Sequence, residues 1–172
     1  MNYLYHQLPK DMEGDILYPL NELKEIYPKI YEKKVTKYQG REHLLDEVIP
    51  ILNCKWNDVL HFSPVHPKEI QRVFKEINHE FHGKFLEIDP KLLNPDKTVL
   101  YLYFTDGPGL NPKEIIRFNP NELDKYSELR YETKKYYREK YLTNERPLLF
   151  YKIPHILFKG SIDIKETAVL EI

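Results

Sequence analysis

The stretch 59–77, VLHFSPVHPKEIQRVFKEI, decides how this chain is read. Residues 59–62 have the β-branched and aromatic character of a strand, Ser63-Pro64-Val65-His66 turns, and Pro67 opens a helix. Proline suits the first helical position because its missing N–H would find no partner there in any case. Ile70, Val73, Phe74 and Ile77 then recur at i, i+3, i+4 and i+7, one apolar stripe that must face a core. His61 and His66 are left at the seam. Polar side chains at a strand end, beside a helix N-terminus that favours anions, are the geometry of a ligand site.

Upstream, residues 2–8 read as a first strand whose period of two puts Leu4, His6 and Leu8 on one face and Tyr3 and Tyr5 on the other. A turn through Gly14 follows. Leu20, Leu23, Ile26, Tyr27, Ile30 and Tyr31 keep helical spacing but are interrupted at Pro28, which predicts two helical segments or a kink, closed by Gly40. Residues 41–48 read as further helical turns and 49–54 as a connecting strand or loop. Downstream, 85–88 reads as a short strand and 98–104, TVLYLYF, as the plainest strand of the chain. Residues 105–112, with two glycines and two prolines, end it. Asn119-Pro120 resembles a helix start and 127–141 a helix, while 148–153, 156–158 and 169–172 read as closing strands. The order predicts a single α+β domain over 1–172, with a mixed or mostly antiparallel central sheet of about five to six strands and four to five helices.

Acidic and basic side chains nearly balance, 27 against 26, so no global field draws in nucleic acid or an anionic membrane. Cys54 is alone, which excludes an internal disulfide framework. Residues 1–15 lack the basic start and apolar run of a secretion signal, and no apolar run approaches the roughly 20 residues of a membrane span, so the expected location is cytoplasmic with no membrane partner. Fourteen tyrosines supply large half-buried surfaces with a polar tip.

Three constellations bear on chemistry. His61, His66, His79 and His82 are close in sequence, as a metal-dependent hydrolase would need, yet they match none of the recognised zinc spacings; exposed or capping histidines are the plainer reading, and no metal is expected. The run Lys134–Tyr141, KKYYREKY, interleaves rings with cations as single-stranded nucleic-acid surfaces do. Glu132 and Glu139 dilute its charge, and a helix with one tyrosine face on the sheet and a solvated charged face is the plainer reading. The third is His6 with the HFSPVHP turn. Asp58 is placed either to orient the His61 ring or to form a turn with Asn57. No phosphate loop, dinucleotide glycine fingerprint or nucleophile elbow occurs.

Tyr5-His6 in a first strand, a polar turn at Gly14, a helix, and Phe62-Ser63-Pro64 opening another helix together resemble the ADP-ribosyltransferase superfamily, in its DNA-modifying toxin-like branch. The resemblance implies NAD as cosubstrate and a nucleic acid or protein as acceptor. It implies that His6 bonds the ribose next to nicotinamide, that Phe62 packs on the nicotinamide ring, and that Glu145, the acid nearest before the late strand, steadies the cationic sugar of an oxocarbenium-like transition state. Tyr5, His61, Ser63 and Arg41 complete the expected cosubstrate set, Arg41 as a bidentate partner for pyrophosphate or, equally, as a cap for the helix ending near Gly40. A non-catalytic protein- or single-strand-binding module remains the alternative.

Overall fold

The computed structural model describes residues 2–107 and 109–172. In chain order the strands are β1 (Leu4–Gln7), β2 (Ile16–Leu17), β3 (Val48–Ile49), β4 (Cys54–Lys55), β5 (Leu60–Phe62), β6 (Lys84–Ile88), β7 (Thr98–Tyr101), β8 (Ile115–Arg117), β9 (His155–Phe158), β10 (Ile162–Asp163) and β11 (Ala168–Glu171). The α-helices are α1 (Leu20–Ile26), α2 (Pro28–Val35), α3 (Pro67–Glu76) and α4 (Tyr131–Leu142), with short 3-10 segments between.

The mixed α+β class holds, but the single central sheet does not. Instead there is a four-stranded sheet, in the order β5-β9-β7-β8, a three-stranded sheet, β1-β6-β11, and two ribbons, β10-β2 and β3-β4. Every named pairing is antiparallel. The two larger sheets meet edge to edge between β1 and β5 through one bridge, Tyr5 with Ser63, whose backbone groups exchange bonds of 2.8 and 2.9 Å. Beyond that bridge the ladder stops and the strands part.

Alternation explains which side chains enter which core. Leu60 and Phe62 of β5, Leu100 of β7, and Ile156 and Phe158 of β9 share one core with Leu4, Leu86 and Ile88 of the three-stranded sheet. The opposite face of the four-stranded sheet, with Val99, Tyr101 and Leu157, is covered by the β3–β4 hairpin and Val59. Helix α3 begins at Pro67 as its sequence predicts and buries Ile70, Val73 and Phe74. The segment 20–35 is broken at Pro28 into α1 and α2, also as predicted.

Two expected strands fail for identifiable reasons. The run 98–104 pairs only through Tyr101, because Tyr103 takes a left-handed φ of 52° that no ladder accommodates. Residues 148–153 form turns rather than a strand, and Lys152 also has a φ of 52°. Both departures meet at Arg130. Its Nη1 donates to the carbonyls of Leu102 (2.9 Å), Tyr103 (3.2 Å) and Lys152 (3.2 Å), and its guanidinium stacks 4.2 Å from the Phe104 ring. Pro108, one of the prolines expected to end the strand, lies outside the described residues.

The loop after β7 is held by a second buried charge. Glu114 accepts from the Phe104 amide (2.8 Å), the Thr105 amide (3.2 Å) and hydroxyl (2.8 Å), and the Asn111 side chain (3.2 Å). Burial pushes this carboxyl up, but the donors outweigh it and hold it below the usual carboxylate range. Glu114→Ala leaves these donors unpaired, so it should cost about 3 kcal/mol, read as a lower urea midpoint together with faster amide exchange at Phe104 and Thr105. Unchanged exchange at those amides would contradict the assignment.

Candidate functional site

The place where β1 and β5 separate is chemically the most organised part of the molecule. There His6 Nδ1 donates to the His61 carbonyl at 2.7 Å, a side chain replacing the next rung of the interrupted ladder. A carbonyl can only accept, so Nδ1 carries the proton and Nε2 keeps an acceptor lone pair. His61 repeats the pattern with Nε2 donating to the Trp56 carbonyl at 2.9 Å, and His155 with Nδ1 donating to the Ile153 carbonyl at 2.6 Å. Three half-buried imidazoles are each fixed in one tautomer by backbone, with the second nitrogen able to accept.

All three are kept neutral. Burial lowers His6 to about 4, with Lys34 and Lys37 adding to the effect and the bond to His61 partly offsetting it. Burial does the same to His155, again to about 4. His61 lies well below the usual histidine range, through burial first and then through His155 and Lys37. The rings of Trp56 and His61 are 4.5 Å apart, and those of His61 and His155 are 6.4 Å apart and perpendicular. Tyr101, the cross-strand partner of His155, and Tyr103 extend the aromatic wall at 6.1 and 5.8 Å from the His155 ring.

Cations arrive from the last turn of α2 and the segment that follows it. Lys34, Lys37 and Arg41 are spaced i, i+3, i+7. Much of the Lys37 side chain meets solvent, yet its ammonium lies 5.1 Å from the Tyr38 ring centre. Desolvation, then Lys34 and Arg41, lower its pKa. Lys34 is lowered by burial, relieved only by Asp11, an acid that Lys33 also approaches at 4.0 Å. Like charges gathered beside neutral, half-buried histidines give this corner a positive potential that favours an anion.

The expected residues fare unequally. His6 and His61 meet at the split. Arg41 is close by, with Nη2 donating to the Lys37 carbonyl at 2.8 Å, which is the capping role, and its guanidinium 6.0 Å from the Tyr38 ring. Phe62 is 1% exposed and its ring packs edge-on against His6 at 5.6 Å, so it is a core side chain and offers no surface to a ligand. Ser63 is buried, and its hydroxyl accepts from the Val65 amide at 3.1 Å. Tyr5 points away from His6, because neighbouring residues of a strand face opposite ways, and lines a groove beside His66. Glu145 is exposed after α4, paired with Lys140, and none of its hydrogen bonds or ion pairs reaches this cluster. Asp58 does not orient His61; it accepts from the Asn21 side chain and the Lys55 amide, both at 2.7 Å.

The other constellations separate. His66 caps α3, its Nδ1 accepting from the Lys68 amide at 3.1 Å, and His79 and His82 are exposed. Among the described residues no three His, Cys, Asp or Glu side chains converge as a metal set. On α4, Tyr137 is buried, Tyr136 stacks on Tyr151 at 3.9 Å, and Lys135, Arg138 and Lys140 pair with Glu139, Glu76 and Glu145. Among the described residues no helix is long and apolar enough to cross a membrane. No protein-family model matches this chain, no curated protein matches its sequence, and no solved structure matches its fold.

The neutral histidines set a pH dependence. A histidine with a folded pKa below its unfolded value stabilises fully above the unfolded pKa, near 6.5, and loses that contribution as pH falls towards the folded one. His6 and His155, both at about 4, should each remove about 2 kcal/mol of stability between pH 6.5 and 4.5. Chemical denaturation across that window measures the loss. His6→Gln, which keeps a donor for the His61 carbonyl, should flatten part of it.

Proposed function

We propose that this chain binds NAD at the mouth of the split between β1 and β5, as an ADP-ribosyltransferase-like protein whose acceptor is a nucleic acid or a protein. The observation that supports it most is the joining of a neutral acceptor, His6, to a row of cations, Lys34, Lys37 and Arg41, of which Lys34 is partly offset by Asp11, at the place where the ladder between two sheets is interrupted.

The donor and acceptor chemistry suits the ligand. A ribose hydroxyl donates to the free Nε2 of a neutral imidazole, a bond that a protonated histidine would forbid. The lysines and the arginine match the two charges of a pyrophosphate, Arg41 in a planar fork and the lysines as point charges. Trp56, half-buried beside His61, takes the stacking role that Phe62 is too deeply buried to fill. Bound NAD would supply the ADP-ribosyl group by loss of nicotinamide. His6, His61, Trp56 and the three cations are assigned here to binding and orientation; Glu145 has no part in the proposal, since its partner is Lys140.

Calorimetric titration with NAD and with ADP-ribose tests the reading. Both should bind, and the double variant Lys34→Gln, Lys37→Gln should weaken both by about tenfold or more, since each charge-assisted contact is worth about 1.5–3 kcal/mol. Absence of heat at millimolar NAD with the wild-type chain overturns it.

A further inference from the structure

Residues 63–68, Ser-Pro-Val-His-Pro-Lys, lead from β5 into α3 through two prolines, which have no N–H to donate. The amides that follow the prolines, Val65 and Lys68, have no helical partner behind them, and each is met by the side chain two residues back. The Ser63 hydroxyl accepts from Val65 at 3.1 Å, and His66 Nδ1 accepts from Lys68 at 3.1 Å. A hydroxyl accepts at any pH. An imidazole nitrogen accepts only while it carries no proton.

The same bond recurs at four other starts, each time just before a proline that opens a 3-10 segment. Asp89 accepts from Lys91 at 2.9 Å, Asn94 from Asp96 at 2.9 Å, Asn111 from Lys113 at 3.1 Å and Asn119 from Asn121 at 3.1 Å. Carboxylate and carboxamide oxygens are the usual caps, and neither loses its acceptor near neutral pH. Of these five starts, only α3 gives the task to a histidine, whose charge ordinarily changes in that range.

The surroundings give a charged His66 ring a different set of partners. It lies 4.9 Å from the ring of Tyr5 on β1. Glu87 of β6 and Glu69 of α3 favour its charged form, Lys68 opposes it, and Glu128 and Lys134 line the same groove from the approach to α4, with Arg72 engaging Glu69 at 3.0 Å. Burial, the largest influence, holds the imidazole below the usual histidine range, so the cap is complete at neutral pH and is lost as pH falls below about 6.5. A proton on Nδ1 sets a donor against the Lys68 donor, at a helix end that already repels positive charge.

We propose that His66 is an acid-released cap: protonation of its ring frees the Lys68 amide, loosens the first turn of α3 and slackens the 63–66 turn, while the rest of α3 stays helical. The slackened turn contains Ser63, whose bridge to Tyr5 joins the two larger sheets. The inference is independent of NAD.

Nuclear magnetic resonance of the whole chain, labelled with nitrogen-15, tests it. The coupling across the Lys68 N–H to His66 Nδ1 bond should be present at about pH 8 and vanish towards about pH 4.5, with the midpoint of the His66 ring titration. Over that range the exchange rate of the Lys68 amide, corrected for its intrinsic pH dependence and divided by that of Phe74, should rise about fivefold, the usual worth of a side-chain cap. The division removes the global loss of stability caused by the other histidines. His66→Asn, which keeps an acceptor and does not titrate, should hold the ratio constant, and His66→Ala should hold it at the fast value throughout. The wild-type coupling decides the matter even if a variant fails to fold. A coupling that survives protonation of His66, a ratio indifferent to pH in the wild type, or a His66→Asn chain with the wild-type pH dependence overturns the proposal.

Discussion

The bond from the His6 ring to the His61 carbonyl is the constraint around which the molecule is arranged. Two antiparallel sheets can share an edge only while their strands keep step, and here they keep step for one residue pair, Tyr5 with Ser63. Past that point the backbone groups of β5 need another partner. An imidazole provides it and accepts two consequences: it must stay neutral, and it must stay in one tautomer. The His61 carbonyl is satisfied by a side chain where the ladder stops, and the same ring keeps one acceptor lone pair. Structure and the proposed recognition chemistry thereby fall on one side chain.

Two sides of one short strand thus serve different environments. The face with Leu4 and His6 turns toward the main core and the split, and the face with Tyr3 and Tyr5 floors an open groove. Lys34 and Lys37 act on the His6 side, while Glu69 and Glu128 on the other stand beside Arg72 and Lys134. A nearly neutral chain can therefore carry a local positive field beside its histidines, which its net charge of −1 conceals.

Much of this was legible in the residues, and the failures have physical causes. Local rules work where the chain decides its own conformation: Pro67 opening α3, Pro28 dividing α1 from α2, and alternation setting His6 apart from Tyr5. They fail where distant partners decide. Residues 148–153 are as apolar as any strand, but Arg130 draws the Lys152 carbonyl into a turn, and apolarity reports burial rather than pairing. Phe62 looks like a ligand-stacking ring because it stands at a turn, whereas its parity with Leu60 sends it inward. Lys34, Lys37 and Arg41 share a helical spacing that is visible in the sequence, but a solvated helix face has the same spacing. His155 is isolated in the sequence, and only the antiparallel pairing of β9 with β5 and β7 brings it to His61 and Tyr101.

The Arg130 clamp has a mechanical corollary. One guanidinium nitrogen holds three carbonyls belonging to two separate turns, each of which contains a non-glycine residue in a left-handed conformation that is unfavourable on its own. Neither turn is strained independently of the other: release of one frees the donor that restrains its neighbour. The segments around Tyr103 and Lys152, which flank the aromatic wall beside His155, are therefore tied to each other through one side chain as well as through the sheet.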